Sequence, residues 1–142
     1  MYDFIHFRVS EFMTTDPVTV SSGTTLADAQ GLFEAHGFNG LPVVDDAGRL
    51  EGVVTKLDIL RAFTLEPSRM IPPYGAIMLR PVTEFMSRAL VTVAPDTPLT
   101  RVLHQLVELR VKSLPVVDGD ALVGVIARED LLRALRESTA AR

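Results

Sequence analysis

Two short stretches carry residues whose types and spacing could do chemistry. In Gly52-Val53-Val54-Thr55-Lys56-Leu57-Asp58, a hydroxyl follows an apolar run and a carboxylate stands three residues beyond it. The run reads as a buried strand and the segment after it as a helix, so Thr55 falls at the helix N-cap and Asp58 in the first turn. Threonine followed by an acid at the third position is an ordinary capping pattern, and Asp58 there also complements the helix dipole. The same pair suits a ribose, whose cis-diol donates hydrogen bonds to a carboxylate. Backbone N–H groups at such a helix start can receive phosphate oxygens, and Lys56 adds a cation beside them. The second stretch, Gly124-Val125-Ile126-Ala127-Arg128-Glu129-Asp130, keeps the pattern but has alanine where the hydroxyl stood.

Both stretches belong to a repeat that runs through the chain. Val9-Ser10-Glu11-Phe12-Met13 returns as Val82-Thr83-Glu84-Phe85-Met86, and Leu41-Pro42-Val43-Val44-Asp45 as Leu114-Pro115-Val116-Val117-Asp118. The offset is 73 residues up to a one-residue deletion near Gly48 and 72 after it. A register held this long means two copies of one supersecondary unit. Each copy opens with a short helical turn ending at Met13 or Met86 and continues into an extended segment, Pro17–Val20 or Ala89–Val93. Thr24 or Thr25, and Asp96 or Thr97, are suited to cap the next helix, with Pro98 at its first position. From Pro98 to Arg110, Leu99, Val102, Leu103, Leu106 and Val107 form an apolar stripe expected to face a core. Gly37 is expected to end the equivalent helix, and Gly31 within it to permit close packing. A hairpin and a last amphipathic helix follow, running from Leu57 to Phe63 or from Glu129 to about Arg136.

The order per copy is β-α-β-β-α, and the class is α+β. The organisation reads as an N-terminal extension at 1–8, a first repeat at 9–63, a connector at 64–81, a second repeat at 82–136 and a tail at 137–142. Three strands cannot alone cover two helices, so the copies are expected to stack their sheets around one shared core. Pro67, Pro72, Pro73 and Pro81 favour an extended connector. Its apolar patch Tyr74–Leu79 is expected to dock, as is the apolar segment Tyr2–Phe7.

Composition narrows the function classes. The chain has 142 residues, a formal charge of −4 and no cysteine. Disulfides, thiolate catalysis and Cys-ligated metals are excluded, and a reducing cytoplasm suits it. Apolar runs break well before the roughly 18 residues of a membrane span, and no segment reads as a signal peptide. Lys and Arg are scattered, which argues against nucleic-acid binding through phosphate neutralisation. His6, His36 and His104 lack i+3 or i+4 ligand partners, so no metal site is expected. No nucleophile stands beside a base and no phosphate-loop or dinucleotide fingerprint occurs, so the chain reads as a non-enzyme without catalytic residues.

The order of these motifs resembles the CBS (cystathionine β-synthase) domain, and the tandem pair resembles a stand-alone Bateman module. The most specific elements are the helix ending at Met13 or Met86, the Leu-Pro-Val-Val-Asp strand and the Gly-Val-Val-Thr-x-x-Asp turn. The resemblance implies two repeats packed sheet to sheet about a pseudo-two-fold axis. It implies two clefts between them for adenosine compounds such as AMP, ADP, ATP, S-adenosylmethionine or NAD. Carried over by position, it implies a first cleft with Thr55 and Asp58 on the ribose, Leu90 and Val91 at the adenine, and Lys56, Val111 and Lys112 nearby. It implies a second cleft with Asp130 on the ribose, Thr15, Pro17 and Val18 around the base, and Phe38, Asn39 and Gly40 across the axis. Ala127 departs from the family pattern and removes a hydroxyl worth about 0.5–1.5 kcal/mol, which Arg128 is placed to offset at a phosphate.

Two functions are thereby expected. The first is a regulatory adenosine-nucleotide sensor that passes its ligand state to an unknown effector protein. It needs no cofactor, although Mg²⁺ could accompany a bound triphosphate. The alternative is a structural or oligomerisation module with empty clefts, in which Thr55 is only a cap. In either case the apolar faces around Leu60 and Phe63, and around Leu132 and Leu135, predict a homodimer.

Overall fold

The computed structural model describes residues 2–64, 73–88 and 90–140, the side chains of Tyr2 and Ala140 excepted. Its elements, in order, are α1 (Val9–Phe12), β1 (Thr14–Thr15), α2 (Leu26–His36), β2 (Gly40–Val44), β3 (Leu50–Thr55), α3 (Lys56–Arg61), α4 (Tyr74–Met78), α5 (Leu99–Leu109), β4 (Ser113–Asp118), β5 (Ala121–Ala127) and α6 (Arg128–Ala140). Short 3-10 turns stand at Tyr2–His6 and Val82–Glu84. The α+β class is as expected. The chain forms two compact units: a central one, Val18–Leu90, and a flanking one in which Met1–Pro17 joins Val91–Arg142.

Each unit is built on one antiparallel hairpin. Gly40 faces Thr55 and Pro42 faces Val53 in the central unit; Ser113 faces Ala127 and Pro115 faces Val125 in the flanking one. Gly48 and Gly119 take φ of 81° and 66° at the two tips, a region that costs glycine nothing. The strand expected before α2 and α5 shrinks to a single parallel bridge, Val20 to Val43 and Val93 to Val116. Ala89, placed in that segment by the sequence, lies outside the described residues, as do Pro67 and Pro72.

The helices follow their caps. Thr25 Oγ1 accepts the Asp28 N–H at 3.1 Å, and α2 ends at Gly37 with φ 66°. At α5 the cap position is Pro98; Thr97 instead turns its hydroxyl to the Ala94 N–H at 2.9 Å. Leu99, Val102 and Leu106 are buried, but Val107, expected in the same stripe, is exposed. The described part of the connector is not extended: Pro73 starts the helical turn α4, which buries Met78 and stacks Tyr74 on Phe63 at 5.6 Å. Phe4 is buried in the flanking unit. Buried apolar side chains of the described residues gather in two clusters, one per unit.

The opening segment of each repeat completes the hairpin of the other. β1 pairs with β5, Thr14 facing Val125, so the flanking sheet has the order β1-β5-β4. Ser87, which is Thr14 displaced by 73 residues, exchanges two backbone hydrogen bonds with Val53, at 3.0 and 2.9 Å. The approach is close enough to need glycine. A Cβ on Gly124 would lie 2.7 Å from the Thr14 carbonyl oxygen and 2.8 Å from Met13 Sδ; one on Gly52 would lie 2.8 Å from the Ser87 carbonyl oxygen and 2.7 Å from Met86 Sδ. By contrast, a Cβ on Gly31 would meet nothing within 4 Å, so close packing is not its role.

These glycines should therefore respond oppositely to alanine. Gly52→Ala and Gly124→Ala should each destabilise the fold by about 1–3 kcal/mol through overpacking. Gly31→Ala, exposed and mid-helix, should stabilise it by about 0.5–1 kcal/mol. Urea unfolding of the three variants checks the signs; a neutral Gly52→Ala would contradict the packing described.

Candidate functional site

The site residues are positioned by the end of a strand running directly into a helix. Thr55 closes β3 and caps α3, and its hydroxyl accepts the Asp58 N–H at 3.2 Å. Asp58 answers with one oxygen, Oδ2, which accepts the Thr55 backbone N–H at 2.8 Å and the Thr55 hydroxyl at 3.0 Å. The carboxylate is buried at 4% exposure, which a charge tolerates only when bonded. Its other oxygen, Oδ1, takes an N–H of Arg61 at 3.3 Å, from a guanidinium side chain that is 64% exposed.

In the flanking unit Asp130 Oδ2 accepts the Ala127 N–H at 2.8 Å, and Oδ1 pairs with Arg133 Nη1 at 3.3 Å. Alanine supplies no hydroxyl, so the reciprocal cap is missing. Burial pushes the Asp130 carboxyl above the ordinary carboxylate range, against the Ala127 N–H and the Arg133 charge, and Glu129 adds to the rise. Arg133 also donates from Nη2 to the Phe12 carbonyl at 3.0 Å, with its guanidinium 5.5 Å from the Phe12 ring centroid. Arg61 and Arg133 are equivalent residues, 72 apart, that sequence reasoning missed. The signal was present: an arginine one helical turn after each aspartate lies on the same helix face.

The other expected residues divide between the units. Phe38, Asn39 and Gly40 lead into β2, where Gly40 faces Thr55, and the Phe38 ring stacks on His36 at 4.9 Å. Lys56 is exposed, its ammonium 5.9 Å from the Phe33 ring centroid. Val18 and Leu90 bound this unit, Val18 being exposed. In the flanking unit Thr15 faces Gly124, Pro17 is half-buried and Val91 is exposed. Arg128 is committed to the backbone there, its N–H to the Lys112 carbonyl at 3.1 Å and its Nε to the Val111 carbonyl at 3.0 Å. Contacts thus join Thr55 to Gly40 and Arg128 to Val111 and Lys112. The pairings carried over by resemblance draw on both units. Among the described residues no group of three or more His, Asp or Glu side chains gathers to hold a metal. No helix among them is long and apolar enough to cross a membrane.

The sequence profile of the CBS domain matches residues 9–65 and 82–137, and the chain belongs to that family. It is 33% identical over 123 residues to the CBS domain-containing protein YhcV of Bacillus subtilis (strain 168), covering 87% of this chain and 81% of that protein. The crystal structure of CBSX2 in complex with AMP superposes with a TM-score of 0.79 at 26% identity, covering 94% of this chain and 98% of that one. The CBS domain pair of MJ0100, in complex with 5′-methylthioadenosine and S-adenosyl-L-methionine, gives 0.75 at 26% identity, covering 93% and 98%. The chain also matches the A-adding tRNA nucleotidyltransferase of Aquifex aeolicus (strain VF5) at 27% identity, but spans only 15% of that protein's length.

The raised Asp130 pKa gives a signed pH dependence. The folded state holds this proton more tightly than the unfolded chain, so the Asp130 contribution is largest below the unfolded value. It is lost as pH rises from about 4 through the folded-state pKa. The stability of wild type minus that of Asp130→Asn should therefore fall over this window, as measured by urea unfolding at stepped pH. A rising difference would mean that the Arg133 charge and the Ala127 N–H outweigh burial.

Proposed function

We propose that the chain is a regulatory module that binds an adenosine compound in the cytoplasm and conveys its ligand state to a separate effector protein. The observation that carries this reading is the Asp58 carboxylate. One of its oxygens is held by the strand end, while the other, among the described residues, accepts a hydrogen bond from an exposed, displaceable arginine alone. A ribose diol can take that arginine's place. Lys56 stands, exposed, one residue after the cap for a phosphate. Asp130, without a capping hydroxyl, is the weaker equivalent. CBSX2 with AMP and the MJ0100 pair with methylthioadenosine and S-adenosylmethionine support the ligand class. Mg²⁺ would enter only with a triphosphate. We propose no catalysis: the relative named as a transferase is a much longer protein.

The second reading, a structural module with empty sites, is favoured by the complete capping box, which occupies Oδ2 of Asp58 while Arg61 occupies Oδ1. Calorimetric titration with AMP, ATP, S-adenosylmethionine and GMP separates the two. Asp58→Asn should weaken adenosine binding tenfold to a hundredfold, roughly 1.5–3 kcal/mol, and Asp130→Asn less. At a hundred times its dissociation constant the ligand should add about 2.7 kcal/mol to stability. No heat and no thermal shift with any of them would leave the structural module standing.

We further propose that the working form is a homodimer. Leu60 and Leu132 are each 66% exposed, and α5 and α6 enclose an apolar groove of about 310 Å³ lined in part by Leu103, Val107, Leu132 and Leu135. Contiguous apolar surface of this kind marks an interface. Light scattering should give twice the 15.5 kDa chain mass, and Leu132→Glu should return it to one chain. A single-chain mass at micromolar concentration contradicts the dimer.

A further inference from the structure

The two carboxylate sites differ in a way the missing hydroxyl does not explain. Arg61 makes one side-chain hydrogen bond among the described residues, to Asp58, and its side chain is 64% exposed. Arg133 makes two, to Asp130 and to the Phe12 carbonyl, and lies over the Phe12 ring. Phe12 ends α1, three residues before Thr15, so this arginine ties the carboxylate to the opening segment of the other repeat.

The cause of the difference can be traced. The counterpart of Phe12 is Phe85, 73 residues on. Its ring lies under Arg80, 4.9 Å from the guanidinium, and Arg80 is itself held by Glu84 at 2.7 Å. The counterpart of Arg80 is Phe7, whose ring packs on Phe12 at 4.8 Å. A ring neighbour at position 7 brings no competing cation, and Phe12 takes its cation from α6. An arginine at position 80 gives Phe85 a local cation and leaves Arg61 with Asp58 alone.

We infer that Arg133 is a latch: it holds Asp130 in the ligand-free arrangement, so that the second site opens to a ribose only when the tie to Phe12 breaks. Arg61, without such a tie, yields the first site freely. This makes Arg133 a selectivity-determining residue and links occupancy of the second site to the segment Phe12–Thr15. The inference rests on the adenosine-binding reading above. In the free protein a diol reaching Asp130 Oδ1 must displace a guanidinium anchored at a second point, and a doubly anchored group leaves less readily than a singly anchored one.

The test is calorimetric titration of the full chain with AMP, and separately with S-adenosylmethionine. The panel is wild type, Asp58→Asn, Arg61→Gln, Arg133→Gln, Arg133→Lys and the double variant Arg133→Gln/Asp130→Asn. Wild type should bind one ligand per chain in the accessible concentration range, and Asp58→Asn should weaken that event tenfold to a hundredfold. Arg133→Gln should reveal a second site at least about tenfold tighter than any second event in wild type. Adding Asp130→Asn should remove it, a reversal that mere loosening of the fold would not produce. Arg133→Lys keeps a charge for Asp130 without the planar fork that reaches Phe12, and should show a smaller gain; it also serves if Arg133→Gln folds poorly. Arg61→Gln should add no site. Two equal sites in wild type, or unchanged stoichiometry and affinity in both Arg133 variants, would overturn the latch while leaving the adenosine reading intact. No binding by wild type or any variant would overturn both.

Discussion

Two places where backbone meets backbone without room for a side chain organise this protein. At Gly52 and Gly124 a methionine side chain and a carbonyl oxygen from the other repeat come within what would be Cβ contact distance. That approach lets β1 add to β5 and lets Ser87 bond both ways to Val53. It also fixes the strand whose last residue caps the next helix. Thr55 is three residues beyond Gly52 and Ala127 three beyond Gly124, so the N–H groups that orient Asp58 and Asp130 belong to strands held on both edges. Fold and site share one constraint: loosening the glycine contact would let the strand end drift and carry the carboxylate with it.

The exchange also explains why each repeat is incomplete alone. Phe4, Val9 and Phe12 bury themselves with residues of the second repeat, and Val82 and Met86 with residues of the first. Each cluster is thus built mainly from one repeat and completed by the opening segment of the other. Within that common scaffold the surfaces have diverged. Gln30 and Glu34, bonded to each other at 3.0 Å on α2, stand where α5 carries Leu103 and Val107. The interior reads alike in both repeats because the packing is the same. The outer faces differ because nothing inside constrains them.

Much of this was legible in the residues. The repeat, the hairpins, the Thr25 cap, the Gly37 stop and the Thr55–Asp58 pairing follow from local rules that act within a few residues. What was not legible depends on contacts distant in sequence. Nothing near Met13 says that its partner is Gly124 rather than Gly52, because the two glycine motifs are nearly identical. Gly31 looked like a packing glycine because its helix was read without its neighbours. Val107 fits an apolar stripe by periodicity, yet the stripe is wider than the core it serves. Pro73 ruled out a continuous helix through the connector, but a proline is also a good place for a short helix to begin, and α4 does. Arg61 and Arg133 stand at the right spacing, but an arginine one turn after an acid is an ordinary helix-surface pair, so spacing alone does not single them out.

The carboxylates themselves hold the remaining physical point. A buried acid cannot be left with bare lone pairs, so in the absence of a ligand the chain must supply donors, and it does so unequally for the two oxygens. Oδ2 is bound to backbone that cannot move without unravelling the strand end. Oδ1 is bound to the end of a long, half-solvated side chain; Arg61 can leave at little cost to the fold if another donor arrives, whereas Arg133 must also give up its hold on Phe12. Binding at such a site is an exchange of donors rather than the filling of a vacancy, and its free energy is a difference between two good partners. Selectivity can then be set by the strength of the departing arginine's other attachments as well as by contacts to the arriving ligand. A repeat protein can therefore make two chemically similar carboxylates respond at different ligand concentrations by changing residues, such as Phe7 or Arg80, that stand outside the strand-to-helix turn that holds each carboxylate.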